Sequence, residues 1–423
     1  MGKFNAIVFL FSYFSVWSQT IPENNVSNSN NSAPSSVQGV IIQEQKELDS
    51  LKLEEETLIK TESVSKKAKT ATQGQPRTNS MIQDQVPAPE IEYRVGATQT
   101  FNVAKIQTAN SRTQRTPKVE QQQQMDASVR QLEQVAPESF EYNIFRYQAG
   151  NHNVELIGNL NKAEQLNPNN VDVQLLQAAY NWVVADTTIA LEYMEKLNGK
   201  DRLTNDMINY SADLLLSVPE NGTLITHGYD DSFAAFYQQN STNTREDVTI
   251  VSLELLQSTN MKNELNKKGY SLPDNPTVDV NYLQSFCALN TDKGISISMT
   301  VPKEYLTAIS SRLFVSGLVF EYRTDEDFNN FLRNDEIWQK MSKVLIDAVK
   351  TEKGRQLTAN YLPMLLHLSR VYGELNEPLK KREIDLVIDI KAIFELRGVL
   401  KRLKPDLIHL HSSKAGIIGR ISA

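Results

Sequence analysis

The order of apolar and polar positions divides the chain into stretches of different character. An apolar run from Ala6 to Trp17 follows Lys3. It is shorter than the roughly 20 residues that span a bilayer, and it has the proportions of a signal-peptide core. Val16 and Ser18 stand at the −3 and −1 positions of a cleavage after Ser18, and no cysteine follows that could take a lipid. Residues 1–18 therefore read as a signal peptide. The mature protein is expected to be exported, to the periplasm or cell surface, with no membrane span after cleavage.

From Gln19 to Ala136 the chain is rich in Asn, Ser, Gln, Thr, Lys and Glu, as in NNVSNSNNSAPSS (24–36), ATQGQPRTNS (71–80) and EQQQQ (120–124). Apolar residues there are sparse and keep no sustained period. Such a segment buries too little surface to offset a chain entropy of about 1–2 kcal/mol per residue. It reads as a disordered polar spacer. Within it, Ile41, Leu48, Leu51 and Leu58 carry the spacing of one short helix over Val40 to Ile59.

Near Pro137 the pattern turns helical. Residues 137–170 hold Phe140, Tyr147, Leu156, Leu160 and Ala163 at helical intervals, with QAGNH (148–152) as a turn and Pro168 as a stop. A further helix, Thr204 to Leu216, precedes Pro219. TLIT (223–226), HGYDD (227–231), SFAAFYQQ (232–239) and DVTIVSLELL (247–256) then read as strand, loop, helix and strand, a βαβ unit with a right-handed crossover. GISISMTV (294–301) is a further strand. LTAISSRLFVSGLVFEY (306–322) is amphipathic and carries a glycine near its end. Residues 325–351 and 357–375 read as helices.

The last stretch differs again. Ile393, Leu396, Leu400 and Leu403 form the inward stripe of a helix over Asp389 to Leu403, and Pro405 ends it. Asp406 to His411 is a hydrophobic strand, and SSKAG (412–416) leads into a helix start. A strand–loop–helix of this kind aims backbone N–H groups at an anion, and Lys414 adds a charge. The spacing of a Walker loop is absent.

The expected fold is α+β and mostly α: helical hairpins followed by an α/β module, with a long disordered N-terminal spacer and a Rossmann-like C-terminal fragment. The expected divisions are 1–18, 19–136, 137–219, 220–379 and 380–423.

Composition narrows the function. Of 423 residues, 51 are acidic and 44 basic, a net charge of −7, which argues against a nucleic-acid binder. One cysteine and five histidines exclude a disulfide framework and a multi-cysteine zinc site. No cofactor and no metal are expected. In an open α/β sheet ligands sit at the carboxyl ends of strands, which is where His227, Tyr229, Asp230 and Asp231 fall. A histidine beside two carboxylates suits a metal or a proton transfer. Asp230 or Asp231 equally suits a helix N-cap, with Gly228 allowing a tight turn. Cys287 and His367, in apolar surroundings, are expected to be buried.

Three resemblances add to this. Counted from Pro137, residues 4, 11, 24, 27 and 32 resemble the tetratricopeptide repeat; in a second window from Val171, Ala178 and Ala190 fit, whereas Asn181 and Leu197 depart. That likeness implies a protein-interaction surface, while so short an array equally suits a helical cap on its neighbour. THGYDDSFAAFYQQ (226–239), REDVTIVSLELL (245–256) and SRLFVSGLVFEY (311–322) are similar to the soluble C-terminal part of the DUF2723 family of large bacterial membrane proteins. KPDLIHLHSSKAGIIGR (404–420) closely resembles the N-terminal domain of family 4 (GT-B) glycosyltransferases. In that family the loop after this strand borders the interdomain cleft near the acceptor, which implies roles there for His409, His411, Ser412, Ser413, Lys414 and Gly416. The donor half of such an enzyme has no counterpart here. The sequence thus reads as an exported, non-catalytic interaction or scaffold protein, meeting protein partners through its helical hairpins and joined near Lys380 to Arg382 to an incomplete transferase segment. The alternative is a cytoplasmic family 4-like glycosyltransferase, for which alone a nucleotide sugar would be a ligand.

Overall fold

The computed structural model describes residues 7–9, 88–198, 202–325, 328–342, 351–385, 387–388 and 407–409. The chain forms two compact units, residues 34–360 and residues 1–33 with 361–423.

The larger unit opens with helices α1 (Ala88–Ala109), α2 (Val119–Val135), α3 (Phe140–Ala149), α4 (Ile157–Leu166), α5 (Val171–Val183), α6 (Thr187–Leu197) and α7 (Asn205–Ser217). Neighbouring helices from α1 to α6 pack pairwise through short connections, as helical hairpins do. Their starts follow from side-chain caps. Ser139, Asn170, Asp186 and Thr204 each accept a hydrogen bond from the backbone N–H three residues on.

Helices α1 and α2 correct the expected spacer, whose disordered character was to reach Ala136. Ala97, Phe101 and Ala104 share one helical face of α1 and are fully enclosed, as are Met125, Val129 and Leu132 of α2. The buried positions form one packed face, the ring of Phe101 stacking on Phe145 of α3 with centroids 4.0 Å apart, while Val95, Val103 and Ile106 of α1 stay exposed. The glutamine run lies inside α2 and serves it. Gln121 accepts from the N–H of Lys118 at 2.9 Å, and Gln122 donates to the carbonyl of Ala149 at 3.0 Å. The possible helix over 40–59 lies outside the described residues.

After α7 come β2 (Thr223–Thr226), α8 (Tyr229–Thr242), β3 (Thr249–Ser252), α9 (Thr259–Lys267), α10 (Val280–Leu289), β4 (Ile295–Ser298), α11 (Lys303–Thr307), β5 (Leu313–Ser316), β6 (Val319–Tyr322), α12 (Asn330–Lys340) and α13 (Glu352–Thr358). The sheet order is β3-β2-β4-β6-β5. β2 pairs in parallel with both β3 and β4, whereas β6 is antiparallel to β4 and β5. The expected βαβ unit is present, with Leu224 opposite Ile250 and Ser296. β2 and β4 are buried along their whole length, as strands covered on both faces are. Trp182 of α5 lies against Phe236 of α8, ring centroids 4.2 Å apart, and ties the helices to this sheet.

The amphipathic stretch 306–322 ends in a hairpin, β5 and β6, turning at Gly317–Leu318. Gly317 has φ +59°, a left-handed turn that Gly takes without strain. Its N–H donates to Asn334 Oδ1 at 2.8 Å, and the N–H of Leu318 to Ser217 Oγ at 3.0 Å. The alternating Leu313, Val315 and Val319, Glu321 face inward, and this period of two outweighs a helical reading of the same residues. The helix expected over 325–351 is described as α12, with residues 343–350 outside the described set. That expected from 357 splits at a 3₁₀ turn, Ala359–Tyr361.

In the smaller unit, α14 (Leu362–Glu374) buries Met364, Leu365, Leu368 and Tyr372. Asp385 accepts from Ser369 at 2.5 Å and from Lys381 at 2.6 Å. Burial and then Arg370 lower the pKa of His367 to about 4. β1 (Ile7–Phe9) pairs in parallel with β7 (Leu407–His409), Val8 opposite Ile408. The hydrophobic strand expected near the C-terminus is therefore present, and its partner, Ile7–Phe9, falls within the residues read above as a signal peptide, so this pairing belongs to the uncleaved chain. The backbone reason is general: an isolated strand leaves its N–H and C=O groups unpaired. The predicted helix over 389–403 lies outside the described residues. No helix among the described residues is long and apolar enough to cross a membrane.

Candidate functional site

The sheet reverses direction at β2: the chain passes from β2 to β3 on one side and then returns to β4 on the other. Ligand crevices of open α/β sheets lie at the carboxyl edge of such a switch point. His227–Tyr229 leave β2 there, Glu254 follows β3, and Thr300 follows β4. Two chambers meet at this edge. The outer one, about 260 Å³, is lined by His227, Gly228, Asp230, Asp231, Thr300 and Lys353, among others. The inner one, about 190 Å³, reaches between the helices. Ala109, Arg115 and Tyr229 line both.

The expected N-cap is placed differently. Gly228 is the N-cap of α8, and Asp231 is its third residue. The Asp231 carboxylate accepts from the N–H of His227, Gly228 and Ser232 at 2.9, 2.9 and 3.0 Å, and from Thr300 Oγ1 at 2.7 Å. Both oxygens are thus spent on the helix start and on β4's loop, which corrects the idea of a metal held by His227, Asp230 and Asp231. Asp230 is half exposed and meets Lys353 Nζ at 3.4 Å. Among the described residues no group of three or more His, Cys, Asp or Glu side chains is placed to hold a metal.

His227 lies edge-on to Tyr305, ring centroids 5.5 Å apart. Its Nε2 is enclosed and has no hydrogen-bond partner among the described residues. Burial, and next the charge of Arg115, lower its pKa to about 3, so the ring is neutral near neutrality. Tyr229, in the first turn of α8, has a phenol pushed well up by burial and then by Glu254.

Three further residues were not legible as site residues. Arg115 stands in the α1–α2 connector, which joins the sheet region through Arg115 N–H to Val278 carbonyl (2.8 Å) and Val280 N–H to Thr113 carbonyl (3.1 Å). Its Nε donates to Glu254 Oε2 at 2.6 Å, and its Nη1 to the carbonyl of Ala109 at 3.2 Å. Burial opposes the charge on Glu254, but Arg115 and His152 prevail and hold it down at about 2. His152 Nε2 is 3.5 Å from Glu254 Oε1 and 3.1 Å from Tyr229 Oη. Asn151 and His152 have φ +48° and +63° in the α3–α4 turn, a left-handed pair that aims the imidazole inward. The GNH string signalled the turn but not the burial of its histidine.

Of the C-terminal candidates, His409 is in β7, with its side chain outside the described set. His411, Ser412, Ser413, Lys414 and Gly416 lie outside the described residues. Cys287 is buried, as expected, and burial raises its thiol to about 12.

Comparison with known proteins gives two short likenesses. The family model described as TMEM260-associated domain 2 matches residues 207–364, which include β2 to β6. A UDP-Gal:alpha-D-GlcNAc-diphosphoundecaprenol alpha-1,3-galactosyltransferase of Escherichia coli is 48% identical over 46 residues. That match covers 11% of this chain and 12% of the enzyme, so a short glycosyltransferase-like segment is present. No solved structure matches.

Proposed function

We propose that this protein is an exported, non-catalytic interaction module. Its helical hairpins, tetratricopeptide-like in sequence, would carry the partner surface, and the outer chamber would receive a polypeptide segment of the partner. The observation that carries this reading is the state of the ionisable groups around the crevice. Asp231 is committed to backbone N–H groups, Glu254 is clamped as a carboxylate near 2, and His227 is held neutral near 3. General acid–base chemistry works best with a group whose pKa lies near the operating pH. What remains available at the rim is the Asp230–Lys353 pair, one donor and one acceptor group side by side, which suits a peptide backbone. The likeness of 223–322 to the soluble part of DUF2723 proteins fits a module that accompanies other machinery.

Cross-linking of the full chain in cells of its source tests the reading. A specific partner linked to residues 140–197 or to Lys353, lost in Lys353→Glu, is the expected result. A turnover activity of the purified chain abolished by Asp231→Asn at unchanged stability overturns it.

A second reading, sugar transfer by a family 4-like segment, rests on the 46-residue likeness. Binding of a nucleotide sugar by the full chain, weakened by Lys414→Ala, would favour it over the first.

A further inference from the structure

Helix α1 is apolar on two opposite faces. Ala97, Phe101 and Ala104 close one of them against α2 and α3. Val95, Val103 and Ile106 stand on the far side of the helix at 3.6 residues per turn, and they are 49%, 53% and 58% exposed. Gln99 and Asn102, which lie between them, are exposed and uncharged. A surface helix normally keeps a single apolar stripe and turns charged or polar residues to the opposite side. The second stripe of α1 has no cover among the described residues.

The chain holds a stripe that matches it. Ile41, Leu48, Leu51 and Leu58 recur at intervals of 7, 3 and 7 residues, one face of a helix over Val40 to Ile59. Leu48 to Leu58 would run about 15 Å along such a helix, and Val95 to Ile106 run about 17 Å along α1. The 28 residues 60–87 join the segment to α1. A polar linker of that length spans about 30 Å on average, close to the length of the 22-residue α1. Charge fits as well. Residues 40–59 hold six acids and two bases, a net charge of −4, whereas Arg94 and Lys105 are the only charged residues of α1 between Tyr93 and Ala109. A second copy or a free partner fits less well. Three half-exposed aliphatic side chains offer on the order of 250 Å², against about 800 Å² buried by each side of a stable complex. A tethered segment docks at an effective concentration of about millimolar and needs far less area.

We propose that residues 40–59 form a helix that folds back on the outer face of α1 and sets Leu48, Leu51 and Leu58 against Val95, Val103 and Ile106. The chain then supplies the cover for its own first helix, and the hairpin array gains one further layer. This face is separate from residues 140–197 and Lys353, and the proposal does not rest on the partner reading above.

Thiol labelling of the full chain tests this. The one native cysteine, Cys287, is buried and its thiol is raised to about 12, so the thiol introduced by Ile106→Cys is the one that reacts. It is expected to react with a maleimide slower by roughly fivefold or more than in the same chain carrying Leu48→Asp and Leu51→Asp. Those two changes lie outside α1 and the helices packed on it, so the body that carries the reporter keeps its fold. Hydrogen exchange gives a second reading. Amides of 40–59 are expected to exchange slower by roughly fivefold or more in the unaltered chain than in the isolated peptide 40–59, and Val95→Asp with Val103→Asp removes the difference. Equal labelling rates with and without the two leucine changes, peptide-like exchange in the full chain, or protection that survives the changes in α1 overturns the proposal. Protection that falls on dilution also overturns it and assigns the face to a second copy. None of these results alters the expected cross-linking of a partner to residues 140–197.

Discussion

Arg115 Nε donates to Glu254 Oε2 at 2.6 Å across 139 residues of chain, and both side chains are about nine-tenths buried. The pair joins the α1–α2 connector to the end of β3. Removing one partner leaves the other charge buried alone, at a cost of about 3–5 kcal/mol. Glu254→Gln and Arg115→Met are expected to lower the urea midpoint strongly, whereas the double change to Arg115→Met with Glu254→Leu recovers most of the loss. Equilibrium unfolding of the three variants checks this.

Acid should destabilise the fold in two steps. His227 binds its proton near 3 in the folded chain instead of 6.5, so below 6.5 the unfolded chain takes up a proton that the folded chain refuses. Its contribution is complete above 6.5 and is lost as pH falls toward 3. Glu254 is depressed from 4.5 to about 2, so its contribution is complete above 4.5 and is lost over the range down to 2. Melting temperature against pH is expected to fall gently below 6.5 and steeply below 4.5. His227→Phe is expected to reduce the first limb, to which His367, lowered to about 4, also contributes, and to leave the second.

Two glycines should respond oppositely to alanine. At Gly317 the left-handed φ is unfavourable for alanine, and its Cβ would collide with Ser217, so Gly317→Ala is expected to cost more than about 1 kcal/mol. Gly96 lies inside α1 with open space where a Cβ would stand, and Gly96→Ala is expected to stabilise by about 0.5–1 kcal/mol. Thermal unfolding of both variants reads the difference in sign.

The early start of the folded body has its own test. Phe101 is fully buried and stacked on Phe145. Phe101→Ala is expected to cost about 3–5 kcal/mol, and deletion of residues 88–136 to remove cooperative unfolding. A chain beginning at Pro137 that unfolds as cooperatively as the full chain would show instead that α1 and α2 are dispensable.

The βαβ unit and the helices from Phe140 to Ser217 were legible because they carry a local period and, for most of the helices, a local cap: Asn170, Asp186 and Thr204 lie one residue before their helices in sequence and in space. The hairpin at Gly317 was not, because an apolar stretch read without its neighbours fits a helix and a pair of strands alike, and Asn334 and Ser217, which hold the turn, come from distant helices. Helix α1 was missed for a similar reason. Its few apolar side chains look insufficient until Phe145 is set against Phe101.

The loop candidates show the same division. Local spacing alone placed His227, Tyr229, Asp230 and Asp231 at a strand's carboxyl end, and they are there. That Asp231 caps from the third helical position, that His227 stays neutral, and that Arg115, His152 and Glu254 converge on one cavity wall depended on pairings over long separations. Periodicity and caps act within a few residues and survive in any reading of the chain. Burial, and with it the charge state and the unpaired hydrogen-bonding atoms of a site, is created only when remote segments exclude water together.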